Sequence, residues 1–349
     1  MAKKKVAILT GGGDCPGLNA VIRAATLKLV KAGYEMVGVG HGWRGLMENE
    51  YIPLDSDSTA GILSQGGTIL GTSRTNPMKE DGGVELLVDN LRQNEIWATI
   101  AIGGDDTLGV ANQLHGKYDL NMVGVPKTID NDLSGTDYTF GFDTAVQIAT
   151  EAIDRLHTTA ASHDRTIVVE IMGRHTGWIT VMAGIAGGAD AIMLPEFDIS
   201  VAEVCDILRR SREQGRNYNI VAVSEGARLI TREGEEQMVT QSDEVDAFGN
   251  VKLGGVANLL AKEIERRTGF ETRATVLGHI QRGGTPTAHD RVLATRYGVK
   301  VADMLQAEEW GMMAALKGDE IVSVPLEVAV GERKLVRQEF WDLAQTFFA

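Results

Sequence analysis

The sequence predicts an α/β protein of two three-layer αβα domains with mainly parallel sheets, and three observations support this prediction. Short apolar runs alternate with amphipathic stretches along the whole chain. The apolar runs lack polar alternation, which is typical of strands buried on both faces of a sheet. The chain has 349 residues, which is enough for about two domains. Repeated strand, loop and helix therefore predict parallel sheets that are covered by helices on both faces.

The elements follow in chain order. Seven apolar runs predict buried strands, at residues 6–9, 36–39, 97–102, 122–125, 166–171, 191–194 and 220–223. Six stretches with apolar residues at helical spacing predict helices, at residues 19–31, 84–91, 144–157, 201–212, 256–267 and 291–305. The polar, acidic stretch 231–255 predicts an insertion or a surface hairpin, with residues 248–250 as its turn.

No low-complexity tract or long linker divides the chain. We expect one domain to comprise residues 1–141 plus about 281–325. The other would comprise residues 142–280 plus a C-terminal helix at about 326–349.

Composition excludes several classes of function. The formal net charge of −14 disfavours nucleic acid and anionic membranes as partners, since both demand a basic surface. No window approaches the ~20 apolar residues of a membrane span. The two cysteines, Cys15 and Cys205, cannot form a disulfide framework and suit a reducing compartment. We therefore expect a soluble, cytoplasmic protein, in which Cys15 fills a tight turn more readily than it reacts.

Loops that follow the predicted strands carry most of the unusual residues. Parallel sheets bind ligands at the carboxyl ends of their strands. Five loops with unusual residues each follow a predicted strand, at residues 10–19, 103–107, 126–132, 172–177 and 224–227. The sequence therefore predicts one or more ligand sites along these edges.

The loop at residues 103–107 reads Gly-Gly-Asp-Asp-Thr. Adjacent glycines permit close approach of a ligand to the backbone, and Asp105 has the oxygen chemistry that Mg²⁺ prefers. The alternative is an acidic helix cap, which explains one aspartate more easily than both Asp105 and Asp106.

The loop at residues 126–132 reads Pro-Lys-Thr-Ile-Asp-Asn-Asp. Thr128, Asp130 and Asp132 recur at every second residue, so an extended segment would place them on one face. Lys127 adds a cation beside them. The combination suits a magnesium-bound phosphate and a base that takes the proton of a sugar hydroxyl. The alternative is a loop rich in side-chain turns.

Two glycine-rich loops suit phosphate. The loop at residues 10–19 follows a strand and opens a helix, so its N–H groups and the helix dipole attract anions. Pro16 excludes the dinucleotide fingerprint, and Leu18-Asn19 excludes a Walker A loop. The second loop, 66–74, places Arg74 beside hydroxyl side chains. The alternatives are a structural turn and a solvated arginine.

The remaining candidates are mostly cationic. The stretch 172–177 follows a strand and could bind a sugar phosphate, and Glu225 could bind sugar hydroxyls. Arg273, His279 and Arg282 lie within residues 272–284, where one helical turn or tight loop could bring them to one phosphate. Arg165 begins a strand. Each of these residues is weak evidence for a binding site on its own, because most arginines are simply solvated.

In this order, from residue 9 to about residue 291, the motifs resemble the phosphofructokinase family. That family has a two-domain α/β fold and phosphorylates fructose 6-phosphate at its 1-hydroxyl, a reaction of glycolysis and gluconeogenesis. The resemblance implies that Asp130 is the catalytic base, with Thr128 and Asp132 beside it and Asp105 on Mg²⁺. It also implies a donor domain and a sugar-phosphate domain, in the order of the two predicted above.

The resemblance assigns the other residues as well. Those facing the phosphoryl donor would be Gly12, Gly13, Arg74, Gly104 and Thr107. Those of the sugar-phosphate site would be Met172, Gly173, Arg174, Glu225, Arg273, His279 and Arg282. Arg165 matches an arginine that is supplied across a subunit interface, which implies a homodimer or homotetramer.

Two positions bear on the donor. ATP-using members usually have glycine where this chain has Asp106 and Lys127, so the pair resembles the pyrophosphate-dependent branch of long members. A carboxylate at position 106 would meet the third phosphate of ATP, and two such charges about 4 Å apart repel by up to ~4 kcal/mol. Lys127 would neutralise the departing phosphate. The sequence thus predicts reversible, Mg²⁺-dependent transfer from pyrophosphate to fructose 6-phosphate. An ATP-dependent kinase of the same family and a non-catalytic sugar-phosphate-binding regulatory subunit stay open.

Overall fold

The computed structural model describes the backbone of residues 3–230, 236–237, 240–245 and 251–349, and the side chains of residues 3–230 and 254–349. The chain divides into two compact units. The first contains Met1–Thr144 and Arg282–Arg333, and the second contains Ala145–Val245, Asn250–Gln281 and Lys334–Ala349.

The strands are numbered in chain order. The described residues form β1 (Lys5–Thr10), β2 (Glu35–Val39), β3 (Tyr51–Leu54), β4 (Ile96–Gly103), β5 (Met122–Pro126), β6 (Thr166–Ile171), β7 (Ala191–Met193), β8 (Asn219–Ser224), β9 (Leu229–Ile230), β10 (Glu236–Gln237), β11 (Thr240–Val245), β12 (Val251–Leu253), β13 (Thr272–Val276), β14 (Met312–Lys317) and β15 (Glu320–Pro325).

The helices are numbered likewise. The described residues form α1 (Leu18–Lys31), α2 (Trp43–Glu48), α3 (Gly83–Gln93), α4 (Asp105–Tyr118), α5 (Phe142–His163), α6 (Trp178–Ala186), α7 (Val201–Glu213), α8 (Val256–Thr268), α9 (Ala288–Gln306), α10 (Leu326–Ala329) and α11 (Gln338–Gln345). None of the described helices is long and apolar enough to cross a membrane.

The first unit contains a seven-stranded sheet in the order β15-β14-β5-β4-β1-β2-β3. Its central strands are parallel, whereas β3 and β15 pair antiparallel at the two edges. Ile8 of β1 lies opposite Ile100 of β4, and both side chains are fully buried. Burial on both faces explains the unbroken apolar runs of these strands.

The second unit contains a four-stranded parallel sheet in the order β13-β6-β8-β7. Together the two sheets confirm the prediction of an α/β fold with mainly parallel sheets. In the stretch predicted as an insertion or hairpin, β11 and β12 pair antiparallel. The predicted turn at residues 248–250 lies outside the described residues.

The C-terminal boundary differs from the expected one. We expected a helix at about 326–349 in the second domain, but Leu326–Arg333 belong to the first unit. Leu326 and Ala329 of α10 are buried in the core of that unit beside Leu108 and Met122. The second unit holds α11, whose Trp341 stacks on Phe197 with ring centroids 5.1 Å apart.

Candidate active site

The first glycine loop leaves β1 and is fixed on two sides. The Gly11 amide donates to Ile102 O of β4 at 2.9 Å, and the Gly12 amide donates to Ser73 O at 3.2 Å. Thr72 Oγ1 donates to Gly12 O at 2.6 Å. The residues that the sequence offered as two separate phosphate loops therefore lie side by side at the carboxyl edge of the sheet.

Asn19, at the start of α1, joins the same two loops. Its Nδ2 donates to Gln65 O at 3.1 Å, and its Oδ1 accepts from the Ile69 amide at 2.9 Å. Thr10 Oγ1 adds a bond to Gly71 O at 2.7 Å. The second loop then continues to Arg74, which is exposed. Sequence reasoning did not single out Asn19, because an asparagine at a helix start is common.

Cys15 occupies the turn of the first loop and is fully buried. Its Sγ lies 3.6 Å from Phe140 O, and burial raises the pKa of the thiol. The cysteine fills space in the turn, as expected.

Asp105 and Asp106 form the first turn of α4, and Gly104 is the N-cap residue. The Asp106 amide donates to Asp105 Oδ1 at 2.9 Å. The glycines nearby have a packing reason: a Cβ at Gly103 would lie 2.2 Å from Thr107 Cβ, and one at Gly11 would lie 2.5 Å from Thr107 Oγ1. Thr107 is buried, so it sets the spacing between β1 and α4.

Lys127 immediately follows β5 and is 4% exposed. Its amide donates to Gly103 O at 2.9 Å, and its ammonium donates to Gly13 O. Burial lowers the pKa of Lys127, and the Arg282 guanidinium lowers it further, whereas Cys15, Asp14 and Asp130 oppose the shift. The ammonium is therefore aimed at the first glycine loop and shielded from water.

The Thr128–Asp132 segment is not extended, which corrects the prediction of a shared face. Ile129 and Asp130 form a bend, and Asn131 takes a φ of 51°. The Asp130 amide donates to Thr128 Oγ1 at 3.0 Å. Thr139 holds the segment from outside, because its Oγ1 donates to Thr128 O at 2.8 Å and its amide donates to Asn131 Oδ1 at 3.1 Å. The turn-rich alternative thus describes the backbone that presents Asp130.

Asp132 lies close to Asp105 at the start of α4. Burial raises the pKa of Asp132 to about 7, and the charges of Asp130 and Asp105 add to the rise. A cavity of about 350 Å³ is lined by Asp105, Asp106, Asp132, Leu133 and residues 329–333. Within this cavity the Arg333 guanidinium lies between Asp105 and Asp132, with Nη2 3.2 Å from Asp105 Oδ2 and Nε 4.0 Å from Asp132 Oδ2.

These carboxylates fit Mg²⁺. The described residues contain no group of three or more side chains that could enclose a metal ion. Mg²⁺ commonly binds through one or two carboxylates together with substrate phosphates, so a closed cage is not needed. Asp105 and Asp132 already share one cation, Arg333, which shows that their oxygens converge.

In the second unit, the loop after β6 and the end of β8 meet at the carboxyl edge of the sheet. Ser224 Oγ donates to Gly173 O at 2.7 Å, and the Glu225 amide donates to Ile171 O at 2.9 Å. Met172 and Arg174 flank Gly173. The Met172 amide also donates to Gln281 Oε1 at 3.3 Å. Gln281 is fully buried, and sequence reasoning passed over it because one glutamine gave no signal.

Arg165 and Arg273 lie at the opposite end of that sheet. Arg165 precedes β6, and Arg273 is the second residue of β13, whose Thr272 pairs with Thr166. Both guanidinium groups contact Glu271 Oε1, at 2.8 Å from Arg165 and 2.6 Å from Arg273. The six residues of β6 span roughly 20 Å.

This placement corrects the grouping of Arg273 with His279 and Arg282. Arg273 is on a strand, whereas the other two are on the 3₁₀ turn Gly278–Arg282, where His279 is exposed. Arg282 belongs to the first unit, where its Nη1 lies 3.4 Å from Asp14 O of the first glycine loop.

Comparisons with known proteins agree with this architecture. A family model described as "Phosphofructokinase" matches residues 5–305. The chain is 53% identical, over 99% of both chains, to a Streptomyces coelicolor protein named pyrophosphate–fructose 6-phosphate 1-phosphotransferase. It is 47% identical, over the full length of both chains, to a Corynebacterium efficiens protein named ATP-dependent 6-phosphofructokinase. A solved structure of pyrophosphate-dependent phosphofructokinase from Marinobacter aquaeolei has the same fold, with a TM-score of 0.82 at 22% identity over 99% of this chain and 92% of that one.

Proposed function

The chain belongs to the phosphofructokinase family, and we propose that it transfers a phosphoryl group reversibly from pyrophosphate to the 1-hydroxyl of fructose 6-phosphate. The products are fructose 1,6-bisphosphate and inorganic phosphate. The reaction is Mg²⁺-dependent, and the enzyme is a phosphotransferase.

The observation that carries the choice of donor is the buried Lys127 ammonium at Gly13 O, with Asp106 in the first turn of the neighbouring helix. A donor phosphate at the first glycine loop meets a cation that water does not screen. Such a fixed charge stabilises negative charge as it develops on the departing phosphate. Asp106 lines the adjacent cavity, where it disfavours the longer chain of ATP.

The acceptor is activated by Asp130. Its carboxylate is held by the bend at residues 129–130 and takes the proton of the 1-hydroxyl, after which the oxygen attacks the nearer phosphorus in line. Lys127 and the amides of the first glycine loop stabilise the moving charge. Mg²⁺, when bound by Asp105 and Asp132, would offset the charge of the pyrophosphate oxygens.

Most of the residues that we assign to the sugar phosphate belong to the second unit. Met172, Gly173, Arg174 and Glu225 contribute from the carboxyl edge of the second sheet, and His279 and Arg282 contribute from the 3₁₀ turn. Arg165 and Arg273 lie at the far end of the same sheet, so we assign them to the site of a neighbouring copy. The enzyme is therefore a homodimer or homotetramer. Two buried, unpaired cysteines suit a cytoplasmic location.

The test compares initial rates with pyrophosphate and with ATP, at saturating fructose 6-phosphate and Mg²⁺, while fructose 1,6-bisphosphate is measured. We expect pyrophosphate to be the preferred donor. A clear preference for ATP would reject the donor assignment and favour the ATP-dependent alternative, which the name of the Corynebacterium efficiens relative supports. Binding of fructose 6-phosphate without turnover by any donor would instead favour a regulatory subunit. Asp130→Asn serves as the control for contaminating kinase activity.

A further inference from the structure

Arg333 has no role in the reaction described above, yet it lies where a metal ion would bind. Its Nη2 donates to Asp105 Oδ2 at 3.2 Å, and its Nε lies 4.0 Å from Asp132 Oδ2. One guanidinium thus spans two carboxylates that come from different segments of the first unit.

The segment that carries Arg333 is fixed close to the cavity. It follows α10, whose Leu326 and Ala329 are buried in the core of the first unit. Ser134 Oγ donates to Glu332 O, the residue directly before Arg333. The backbone is therefore anchored, while the arginine side chain is 42% exposed and can leave its partners.

The charges in the cavity explain why a cation is needed. The lining contains the carboxylates of Asp105, Asp106, Asp132 and Glu332, and Arg333 is the cation among its lining residues. Carboxylates this close repel each other when no positive charge lies between them. Mg²⁺ held by the same carboxylates would repel a guanidinium that stayed in place.

We propose that Arg333 is a displaceable counter-ion of the metal carboxylates, so that Mg²⁺ and the Arg333 side chain compete for Asp105 and Asp132. Arg333 holds the two acids together when no metal is bound, and its half-exposed side chain would leave them if a metal ion bound there. Arg333 is a positioning residue, which sets the affinity for metal rather than the chemistry. This inference rests on the proposed metal site but not on the choice of donor.

The test measures metal binding without turnover. Mn²⁺ is titrated into the full-length protein in the absence of substrates, and free Mn²⁺ is measured by electron paramagnetic resonance; Mg²⁺ is then added as a competitor. Because an exposed ion pair is worth up to ~1 kcal/mol, Arg333→Gln should bind Mn²⁺ about two- to fivefold more tightly than the parent protein. Arg333→Lys should lie between the two.

Two controls separate local competition from a general change in charge. Arg337→Gln removes an equal charge from an exposed arginine that pairs with Glu339, and it should leave Mn²⁺ affinity unchanged. In an Asp105→Asn background, Arg333→Gln should no longer tighten binding. Equal or weaker Mn²⁺ binding by Arg333→Gln, or an equal gain in Arg337→Gln, would overturn the proposal. A preference for ATP in the rate comparison would reject the donor assignment and leave this result intact.

Discussion

The ammonium of Lys127 donates a hydrogen bond to the carbonyl of Gly13, which joins the end of β5 to the first glycine loop. The bond places a buried positive charge beside the amides of the first glycine loop. The hydrogen bond fixes the position of the charge, and the burial of Lys127 keeps water away from it.

We predict that Lys127→Met lowers kcat with pyrophosphate. The methionine keeps much of the side-chain volume but removes the charge, and the loss of one such group commonly costs about 100-fold in rate. The KM for fructose 6-phosphate should change far less, because the Lys127 ammonium donates to Gly13 of the first glycine loop, which we assign to the phosphoryl donor. Steady-state kinetics checks both values. Lys117→Met, on the exposed side of α4, is the matched control, and an unchanged kcat in Lys127→Met would remove the lysine from the mechanism.

Asp106 is predicted to exclude ATP by charge. Asp106→Asn keeps the shape of the side chain, and Asp106→Gly also removes its bulk. Both should raise kcat/KM for ATP, by at most about 1,000-fold if the full repulsion of ~4 kcal/mol acts in the parent enzyme. Rates with ATP at fixed fructose 6-phosphate measure the gain. If glycine helps and asparagine does not, the block is steric; if neither helps, Asp106 has no part in donor choice.

Gly103, the last residue of β4, and Gly116 of α4 provide a matched pair of glycine substitutions. Gly103→Ala brings a Cβ to 2.2 Å from the buried Thr107, so β4 and α4 must separate and the donor loops must shift. We expect a loss of stability and of most activity. Gly116→Ala on α4 meets open space and should stabilise the fold by about 0.5–1 kcal/mol. Thermal melting and pyrophosphate kinetics compare the two variants, and an active, fully stable Gly103→Ala protein would contradict the packing argument.

The carboxyl of Asp132 is predicted to make the stability of the fold fall as the pH rises. Its pKa is about 7 in the folded protein against an ordinary value of 3.8, so the folded state holds the proton more tightly than the unfolded chain. The stabilising effect is complete below about pH 4 and is lost as the pH rises to about 7. Asp132→Asn should therefore gain stability relative to the parent as the pH rises from about 4 to about 7. Denaturant unfolding in the presence of a chelator measures this difference, and a gain that does not vary with pH would contradict the assignment.

Arg165 and Arg273 should act in the site of a neighbouring subunit. An Arg165→Ala/Arg273→Ala protein and an Asp130→Asn protein should each be inactive alone. Mixed oligomers contain sites that combine an intact Asp130 with intact arginines from the partner. Dissociation and reassociation of a mixture should therefore restore activity at a fraction of the sites. The mixture would stay inactive if the arginines served their own subunit's site.

The parallel sheets could be predicted because strands buried on both faces leave continuous apolar runs, such as residues 97–102. Several elements gave no such signal, and three of them show why. The helix α6 is apolar all round, so it shows no amphipathic period. The strand β13 is half-exposed. The acidic start of α4 resembles a loop, because its first two residues are aspartates.

The site could be predicted where it depends on loops that follow strands. Two residues at opposite ends of one strand are close in sequence but far apart in space, so their spacing alone misplaces them. Arg273 and His279 are such a pair, because Arg273 lies near the start of β13 and His279 lies after its end. Arg333 gave no signal either, because an arginine within the run Gly331-Glu332-Arg333-Lys334 resembles any solvated charge. Its role depends on the path of the chain after α10.

Both cysteines of the chain are buried: Cys15 is fully buried, and Cys205 is 1% exposed. The native protein consequently offers almost nothing to a maleimide dye. One cysteine introduced at an exposed position, such as that of Tyr118, would accept a fluorophore selectively, without prior removal of the natural thiols. The burial of both natural cysteines therefore makes the protein suitable for site-specific labelling and for single-molecule spectroscopy.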